Sequence, residues 1–312
     1  MSKSKHILTV LIAGWGGMAE KHIQALRALR VPCRFVSLKD ISWKEVDSLK
    51  PDFALITSPT AVHIEHALQL ARRNIPFMME KPVSSHTKGL SPLLNLVKKK
   101  KLLTYVCCQL RFDPSIIRIK KMLCHHEEAK GRRGDLPKSS TIGRWPRPLG
   151  PRHDIPHRIR VFCHSYLPHW RPGRDFRKTY SAQKNLGGGV AYDLIHEFDY
   201  LYWWLGKPKK IFGFRGKLSH LPIHSDDTCS AVLAYPKTLV EVSLGYADKH
   251  QERGFELYYE KRIIKGSVKG SPDLLKKQMA HFINCLHKKE KSLNPLSEGA
   301  EVLQLVQQLE DL

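Results

Sequence analysis

The chain has 312 residues, 42% of them apolar, which is enough for about two domains with ordinary hydrophobic cores and excludes long-range disorder. Lys and Arg outnumber Asp and Glu by 52 to 29, which gives a formal net charge of +23. The apolar run at residues 7–13 is too short to cross a bilayer, and its removal as a signal peptide would delete a predicted strand.

Strands and helices alternate in the first part of the chain. Short apolar runs predict buried strands, and apolar residues spaced three and four positions apart predict the helices between them. The predicted strands are residues 6–13, 33–38, 53–56, 76–79 and 103–107, and the predicted helices are the segment with Ile23, Leu26 and Leu29, a short helix within 43–49, and residues 62–73 and 90–100. This alternation predicts an α/β domain, residues 1–112, built on a doubly wound parallel sheet of the Rossmann type.

The pattern changes in the second part of the chain. Several alternating segments follow one another without intervening helices, which predicts an α+β domain, residues 113–312, with a largely antiparallel open sheet. The predicted strands are residues 159–164, 210–216, 228–235, 239–246 and 255–259, and the predicted helices are 114–123, 190–205, 274–287 and 298–309. Residues 130–158 are basic, rich in Pro and Gly, and predicted to form a surface loop insertion.

The excess of positive charge fits three kinds of partner, namely nucleic acid, an acidic membrane surface or an anionic small molecule. The basic runs are short and scattered, and no helix-turn-helix, zinc finger or RNA-binding motif accompanies them. We therefore expect no dedicated nucleic-acid partner and no membrane partner. Seven cysteines without a CxxC pair predict reduced thiols in a cytoplasmic protein, and without an HExxH motif we expect no catalytic metal.

A glycine-rich turn follows the first predicted strand directly. The spacing of Gly14, Gly16 and Ala19 matches a pattern in which a strand turns tightly into a helix whose free N–H groups face a phosphate. The buried strand before it and the amphipathic helix after it are the context that supports this motif. The turn predicts a bound dinucleotide in contact with Gly14, Gly16, Gly17 and Met18. A purely structural turn is the alternative.

The residue that would hold the adenosine ribose is open at this point. After the second predicted strand, Asp40 could accept hydrogen bonds from the ribose hydroxyls, whereas Lys39 or Arg34 could favour a 2′-phosphate. The cofactor is therefore NAD or NADP.

Glu80, Lys81 and Pro82 lie at the carboxyl end of a predicted strand, where open α/β sheets bind ligands. A lysine can polarise or protonate an alcohol or carbonyl oxygen during hydride transfer, since burial can lower its pKa. A surface Glu–Lys pair before a proline is the alternative.

Asp193, His196 and Glu197 lie on the helix predicted for residues 190–205. Residues three and four apart share a helix face, so Asp193 can point into one pocket with either partner. A histidine beside a carboxylate is a candidate general acid or base, because its pKa lies near neutrality. A buried hydrogen-bond cluster is the alternative.

Aromatic and guanidinium side chains are concentrated in residues 166–180. This mixture suits a sugar ring that bears a phosphate or a carboxylate, although a well-packed loop would have a similar composition. The candidate substrate-binding residues are Arg111, Tyr166, Trp170, Tyr180 and Glu197, and further candidates for the cleft wall are Arg171, Arg174, Asp175 and Arg177.

Five stretches carry specific motifs in order along the chain: ILTVLIAGWGGMAEKHIQAL, FALITSPTAVHIEHAL, MMEKPVS, CCQLRFDP and NLGGGVAYDLIHEFDYLYWWLG. Together they resemble the glucose-fructose oxidoreductase, inositol dehydrogenase and MocA (Gfo/Idh/MocA) family of NAD(P)-dependent oxidoreductases. The resemblance covers nearly the whole chain. The segment YLPHWRPGRDFRKTYSAQKNLGGG is most similar to the branch found with surface-polysaccharide and nonulosonic-acid sugar pathways.

The resemblance implies roles for several residues. Lys81 matches a catalytic lysine close to the nicotinamide and the substrate, and Asp193 matches the aspartate of the substrate-domain helix, with His196 beside it. The residues that match the dinucleotide-lining positions are Thr57, Ser58, Pro59, His63, Glu80 and Gln109. The resemblance also implies that the open sheet of the second domain joins copies into a homodimer or homotetramer.

The chain departs from the usual family pattern in two places. The histidine usually follows the aspartate by four residues, whereas here His196 follows by three and Glu197 takes the usual position. The chain after the second strand is also short for an adenosine pocket. We predict hydride transfer to or from a sugar or nucleotide sugar in surface-polysaccharide or nonulosonic-acid biosynthesis. The alternative is a non-catalytic relative that senses cofactor or sugar.

Overall fold

The computed structural model describes residues 7–128, 155–170, 173 and 175–311. Five parallel strands form the first sheet in the order β2–β1–β3–β4–β5. The strands are β1 (Leu8–Ala13), β2 (Cys33–Ser37), β3 (Phe53–Ile56), β4 (Phe77–Glu80) and β5 (Thr104–Cys107), and the helices between them are α1 (Gly17–Ala28), α2 (Trp43–Leu49), α3 (His63–Arg72) and α4 (Leu90–Lys100). The predicted α/β architecture is confirmed.

The strand order places the ends of β1 and β3 side by side. Ala13 is paired with Ile56 at the carboxyl edge of the sheet, so the glycine turn and the segment that starts at Thr57 leave the sheet as neighbours. Because β2 lies on the other side of β1, the chain changes direction at this point, where open α/β sheets form their ligand crevice. The fold therefore brings two predicted cofactor-binding segments together.

Helix α8 (Pro272–Leu286) returns from the far end of the chain to the first sheet. The ring of Phe282 packs edge-to-face against Phe53, with 5.1 Å between centroids, and also contacts Tyr105. These side chains share one hydrophobic cluster with the inner face of α1. A parallel sheet must be covered on both faces, and α8 extends the cover that α1 begins. Residues on both sides of the predicted boundary at 112/113 thus share a core.

The second sheet has seven strands in the order β11–β10–β6–β9–β8–β7–β12. Its neighbours are antiparallel except for the parallel pairs β6–β9 and β7–β12, which confirms the prediction of a largely antiparallel sheet. The strands are β6 (Arg158–Tyr166), β7 (Lys210–Gly216), β8 (Thr228–Ala234), β9 (Leu239–Gly245), β10 (Ala247–Tyr258), β11 (Ile263–Ser267) and β12 (Glu310–Asp311), and the further helices are α5 (Pro114–Glu128), α6 (Val190–Asp193), α7 (His196–Leu205) and α9 (Leu296–Gln307).

Strand β10 is longer than the prediction of residues 255–259, and β11 and β12 were not predicted. The first half of β10 is exposed and polar, so it lacks the alternation of apolar residues that marks a half-buried strand. Most of the predicted insertion at 130–158 lies outside the described residues, and its last residue, Arg158, already belongs to β6. Within the described part of the chain, no helix is long and apolar enough to cross a membrane.

The helix predicted for residues 190–205 is interrupted, so the prediction of one continuous helix is wrong. Helix α6 ends at Asp193, and α7 begins at His196. The Asp193 carbonyl accepts a hydrogen bond from Lys81 Nζ at 2.7 Å, while the Glu197 N–H donates to the Leu194 carbonyl at 3.2 Å. A partner 112 positions away in the sequence thus takes the carbonyl that would have continued the helix. Asp193 and His196 therefore do not share one helix face.

Candidate active site

A cavity of about 590 Å³ lies between the carboxyl edge of the first sheet and helices α6 and α7. Both predicted cofactor-binding segments and several predicted catalytic and substrate-binding residues line it. The lining residues are Gly14, Trp15, Gly16, Gly17, Met18, Lys39, Thr57, Ser58, Pro59, Thr60, His63, Glu80, Lys81, Gln109, Trp170, Tyr180, Leu186, Asp193, Leu194, His196 and Arg253.

The glycine turn has a shape that fits a phosphate. A Cβ atom on Gly14, whose φ is +99°, would lie 2.3 Å from backbone atoms of Ser58, so the turn requires glycine there. Cβ atoms on Gly16 and Gly17 would meet nothing within 4 Å, which leaves room in front of α1. Among the described residues, no side chain caps α1 at Gly16. Its first N–H groups and the positive end of its dipole are therefore available to an anion.

The segment after β3 forms the neighbouring wall. The Thr57 hydroxyl donates to the Gly14 carbonyl at 2.5 Å and ties the two turns together. His63 is buried, and its ring nitrogens lie 2.8 Å from the Ser58 carbonyl and 2.9 Å from the Pro82 carbonyl. His63 thus fixes the spacing between two strand-end segments as well as lining the cavity.

The residue that lines the cavity after β2 is basic. Lys39 lines the cavity, whereas Asp40 is exposed and not among the lining residues. Arg34 lies at the start of β2, where its guanidinium donates to the Thr9 hydroxyl at 3.3 Å. Of the three ribose candidates, the structure therefore brings only Lys39 to the cavity.

Lys81 and Asp193 form an ion pair that joins the two parts of the molecule. The Lys81 ammonium donates to the Asp193 carboxylate at 3.0 Å in addition to its bond to the carbonyl. Lys81 lies directly after β4, and Asp193 is the last residue of α6. Both side chains are largely buried, with 14% and 5% exposure.

Three hydroxyl groups surround the Asp193 carboxylate. The Tyr180 hydroxyl donates to Oδ1, and the hydroxyls of Ser181 and Tyr246 donate to Oδ2 at 2.7 and 2.9 Å. Gly188 makes this arrangement possible, because a side chain there would collide with the Tyr180 carbonyl. The second glycine cluster therefore positions Tyr180 beside Asp193.

The surrounding charges keep both members of the pair ionised. Burial alone would lower the pKa of Lys81, but interactions with Tyr180 and Asp193 raise it above its usual range. Burial alone would raise the pKa of Asp193, but Lys81 and the hydroxyls of Tyr180 and Ser181 hold it well below its usual range. The expectation that burial lowers the lysine pKa is thus reversed, because a charged partner offsets the desolvation.

His196 lies in the same cavity in an electropositive environment. Burial, together with the charges of Lys81 and Arg253, holds the pKa of His196 well below its usual value of 6.5. Its Nδ1 atom is buried and has no hydrogen-bond partner among the described residues. His196 is therefore a neutral imidazole at neutral pH, which argues against donation of a proton by an imidazolium.

Glu80 faces the cavity from behind Lys81. Its carboxylate lies 2.7 Å from Nε2 of the buried His22 on α1. Burial opposes ionisation, but the hydrogen bond and charge of His22 lower the pKa of Glu80 below its usual value. The carboxylate thus adds a second negative charge beside Lys81.

Three of the predicted substrate-binding residues are not among the residues that line the cavity. Arg111 is 1% exposed, and its guanidinium makes two bonds to the Asp199 carboxylate, at 2.9 and 2.8 Å, and one to Glu298 at 2.7 Å. Tyr166 packs against the ring of His169. Glu197 is fully buried beneath the cavity.

The segment that contributes Trp170 and Tyr180 to the cavity is only partly described. Asp175 and Arg177 form an exposed ion pair with each other at 2.8 Å. Arg171 and Arg174 lie outside the described residues. Of the predicted cleft-wall residues, the structure therefore brings Trp170 and Tyr180 to the cavity.

The sequence-based prediction missed two features of the site. Arg253, on β10, lines the cavity, but in the sequence it is one charge within a run of polar residues. Tyr246, between β9 and β10 of the second sheet, donates the third hydroxyl hydrogen bond to Asp193. Neither residue belongs to a motif, so only the tertiary fold identifies them.

Comparison with family models gives two matches along the chain. A model described as an oxidoreductase family with an NAD-binding Rossmann fold matches residues 27–107, which begin after the glycine turn. The model for the GFO/IDH/MocA C-terminal domain matches residues 157–265. A sequence comparison with curated proteins finds no match.

Several solved structures have the same fold. The structure of GenD2 from gentamicin A biosynthesis in complex with NAD has 13% identity and a TM-score of 0.74, over 99% of this chain and 95% of that one. The WlbA dehydrogenase from Bordetella pertussis, in complex with NADH and UDP-GlcNAcA, has 16% identity and a TM-score of 0.72, over 97% and 95%. UDP-N-acetylglucosamine 3-dehydrogenase GnnA from Acidithiobacillus ferrooxidans has 13% identity and a TM-score of 0.67, over 98% and 97%.

These identities show the fold alone, whereas the two family models match most of the first sheet and most of the second sheet separately and in the expected order. The resemblance inferred from the motifs is thereby confirmed. The chain belongs to the Gfo/Idh/MocA family of oxidoreductases, with an NAD-binding Rossmann domain followed by the family's C-terminal domain.

Proposed function

We propose that this protein transfers a hydride between a bound nicotinamide dinucleotide and a carbon of a sugar or nucleotide sugar. The observation that carries the proposal is the Lys81–Asp193 ion pair, because it lies in the same cavity as the uncapped glycine turn. The cavity therefore combines a phosphate-binding element with a polar group able to handle a proton.

The residues of the chain have distinct roles in this proposal. When bound, the nicotinamide supplies the carbon that gives or takes the hydride. Lys81 donates a hydrogen bond to the reacting oxygen and gives it a proton when a carbonyl is reduced. Asp193 orients Lys81 and keeps it charged, and Tyr180 connects the carboxylate to the cavity.

The substrate class is inferred from the cavity and from related structures. Trp170 and Tyr180 supply aromatic surfaces suited to a sugar ring, and Gln109 adds a polar side chain. WlbA is a dehydrogenase whose structure holds UDP-GlcNAcA, and GnnA is a UDP-N-acetylglucosamine 3-dehydrogenase. We also propose a role in surface-polysaccharide or nonulosonic-acid sugar biosynthesis, on the basis of the motif resemblance to that branch of the family. The buried ion pair favours catalysis over a purely sensory role.

The test is a binding and turnover experiment on the purified protein. Titration with NAD(H) and NADP(H), followed by tryptophan fluorescence, reports the dinucleotide, since Trp15 and Trp170 line the cavity. UDP- and CMP-linked sugars are then screened for a change in the nicotinamide absorbance band. Binding with turnover supports the proposal. Dinucleotide binding with no turnover on any sugar favours the sensor, and failure to bind either dinucleotide rejects the proposal.

We further propose that the outer face of the second sheet joins copies of the chain. Phe212 and Phe214 lie two residues apart on β7 and are 59% and 48% exposed. Adjacent exposed aromatic side chains are typical of an interface between subunits. Sedimentation of the wild type should give a dimer or tetramer, and the double substitution Phe212→Ser, Phe214→Ser should shift it toward the monomer. A monomeric wild type rejects this interface.

A further inference from the structure

An ion pair at the second-domain end of the cavity holds an arginine in a fixed orientation. Arg253 donates from Nε to Glu197 Oε1 at 2.7 Å and from Nη2 to Oε2 at 2.9 Å. The Glu197 side chain is fully buried, whereas Arg253 retains 23% exposure and lines the cavity. Two parallel bonds of this kind fix the plane of a guanidinium group. Glu197 therefore holds one edge of the group and leaves the other edge available.

The available edge carries unused hydrogen-bond donors. A guanidinium has five N–H groups, and within the described part of the chain Nη1 of Arg253 donates to no acceptor. Burial alone would lower the pKa of Arg253, but Glu197 raises it above its usual range, so the group stays charged. The Nη1 atom is not among the buried side-chain atoms left without a partner, and the side chain keeps 23% exposure, so the free edge is accessible to a ligand in the cavity.

Two more polar groups reach the same cavity. His196, the residue before Glu197, is 5% exposed and has its Nδ1 unpartnered among the described residues. Lys81 and Arg253 both lie close enough to His196 for their charges to disfavour its protonation. The imidazole thus offers a neutral polar group near two cations. This arrangement suits an anionic oxygen group better than a neutral hydroxyl.

The position of Glu197 explains the departure from the usual family pattern. Glu197 occupies the position where the family commonly has histidine, and both of its carboxylate oxygens accept hydrogen bonds from Arg253. A carboxylate at this position cannot act as the usual histidine would. Its negative charge instead holds the Arg253 guanidinium at the cavity wall, and a neutral histidine would have no charge to hold it with.

We propose that Arg253, positioned by Glu197, binds an anionic oxygen group of the substrate, so that the substrate is an acidic sugar or a sugar phosphate rather than a neutral sugar. The inference rests on the proposed function for the sugar itself. A carboxylate and a phosphate both present paired oxygens to a guanidinium edge, so the two sources share one chemistry. Arg253 would contact the substrate, and Glu197 would act as a positioning residue.

The first experiment measures binding to the dinucleotide-loaded protein by calorimetry. UDP-glucuronate against UDP-glucose isolates a carboxylate, and glucose 1-phosphate against glucose isolates a phosphate. We expect at least one charged probe to bind the wild type about 10- to 100-fold more tightly than its neutral or less charged partner. We call this quotient of affinities the ratio. The comparison that gives the larger ratio shows whether Arg253 binds a carboxylate or a phosphate. Equal affinity in both comparisons, or no binding of any charged probe, overturns the inference.

The second experiment assigns the effect to Arg253. Arg253→Gln should bring the large ratio down toward one, whereas Arg160→Gln should leave it unchanged. Arg160 is a matched control because it loses the same charge from the exposed face of the neighbouring strand β6. If Arg253→Gln does not fold, Arg253→Lys keeps the charge without the two-bond geometry and should lower the ratio by about tenfold. A ratio that persists in the Arg253 variant overturns the inference.

The third experiment separates positioning from a general loss of structure. Glu197→Gln should raise KM for the charged substrate more than it lowers kcat, and guanidinium ions should partly restore binding to Arg253→Ala. A purely structural role would give neither result. Turnover of a neutral sugar with no dependence on Arg253 would reject this inference and leave the proposed function intact. Loss of dinucleotide binding in the wild type would reject the proposed function instead.

Discussion

The Lys81 ammonium makes two hydrogen bonds to one residue, at 2.7 Å to the carbonyl and 3.0 Å to the carboxylate of Asp193. The first bond is available only because α6 ends at Asp193 and leaves that carbonyl without its helical partner. The break in the helix and the orientation of the lysine are therefore one feature. Asp193, in the second domain, therefore fixes the Lys81 side chain, whereas β4 positions only the backbone that precedes it.

Substitution of Lys81 should separate chemistry from cofactor binding. Lys81→Met should lower turnover by about 10²- to 10⁴-fold and leave the affinity for dinucleotide nearly unchanged, because general acid catalysis is lost while the glycine turn is intact. It should also lower the free energy of unfolding by about 3–5 kcal/mol, since Asp193 loses its charged partner.

The double substitution Lys81→Met, Asp193→Asn provides the control for stability. It should recover most of the free energy of unfolding, because no buried charge remains unpaired, but none of the activity. Lys184→Met, on the surface next to Asp311, should change neither quantity. Full turnover by the Lys81 variant would show that another group supplies the proton.

The two kinds of glycine in the turn should respond differently to alanine. Gly14→Ala should lower the free energy of unfolding by about 2 kcal/mol or more, because the residue has positive φ and its Cβ would collide with Ser58. Gly16→Ala should leave the melting temperature nearly unchanged, since its Cβ meets nothing and its backbone is extended.

The Gly16→Ala variant should nevertheless lose about tenfold or more in its affinity for the dinucleotide, because the added methyl group occupies space in front of α1. Thermal unfolding and fluorescence titration measure the two effects. Equal dinucleotide affinity in Gly16→Ala and the wild type would mean that the turn does not hold the pyrophosphate.

Lys39 should set the response of the site to a 2′-phosphate. Lys39→Ala should lower the affinity for NADP(H) by about 5- to 10-fold and change that for NAD(H) much less, since an exposed ion pair is worth up to about 1 kcal/mol. Lys39→Arg should preserve both affinities. Arg34→Ala is the matched control, because Arg34 binds Thr9 away from the cavity. If Lys39→Ala lowered the affinities for NAD(H) and NADP(H) equally, Lys39 would not contact the 2′ position of the ribose.

The low pKa of His196 gives two pH dependences. Because His196 stays neutral in the folded protein, kcat/KM should show no inflection from it near its ordinary value of about 6.5. The unfolded chain does take up a proton there, so the free energy of unfolding should fall as the pH drops below about 6.5. His196→Gln should reduce this slope relative to the wild type in urea titrations. An unchanged slope would contradict the assignment.

Arg111 should behave as a structural residue although the sequence placed it among the substrate contacts. Arg111→Met should lower the free energy of unfolding by about 3–5 kcal/mol, because the buried Asp199 loses its bidentate partner. KM for the sugar should stay within about twofold in the folded fraction. A selective increase in KM without loss of stability would return Arg111 to the substrate site.

The elements predicted best were those with a strong local pattern. Apolar runs such as Phe53–Ile56 are buried on both faces, so their composition alone identifies them as strands of a parallel sheet. The glycine turn and Lys81 were found because each follows such a strand directly. Ser42 and Glu45 form a capping box that fixes even the short helix α2.

The features that the sequence did not predict depend on contacts between distant residues. The break after Asp193 requires Lys81, and the sequence from 190 to 205 has an ordinary helical pattern. Arg253 is distinguished from neighbouring charges only by its bond to Glu197. Whether Arg111 lies in a cleft or in a core is decided by Asp199, 88 positions away.

The return of α8 to the first sheet has a consequence for how the protein is made. The apolar surface around Phe53 and Tyr105 is synthesised early, but Phe282, which covers it, leaves the ribosome only after strands β6 to β11. The dinucleotide-binding part therefore cannot complete its core during its own translation, in contrast to the usual order of domain folding. Expressed alone, residues 1–112 would leave this apolar surface exposed.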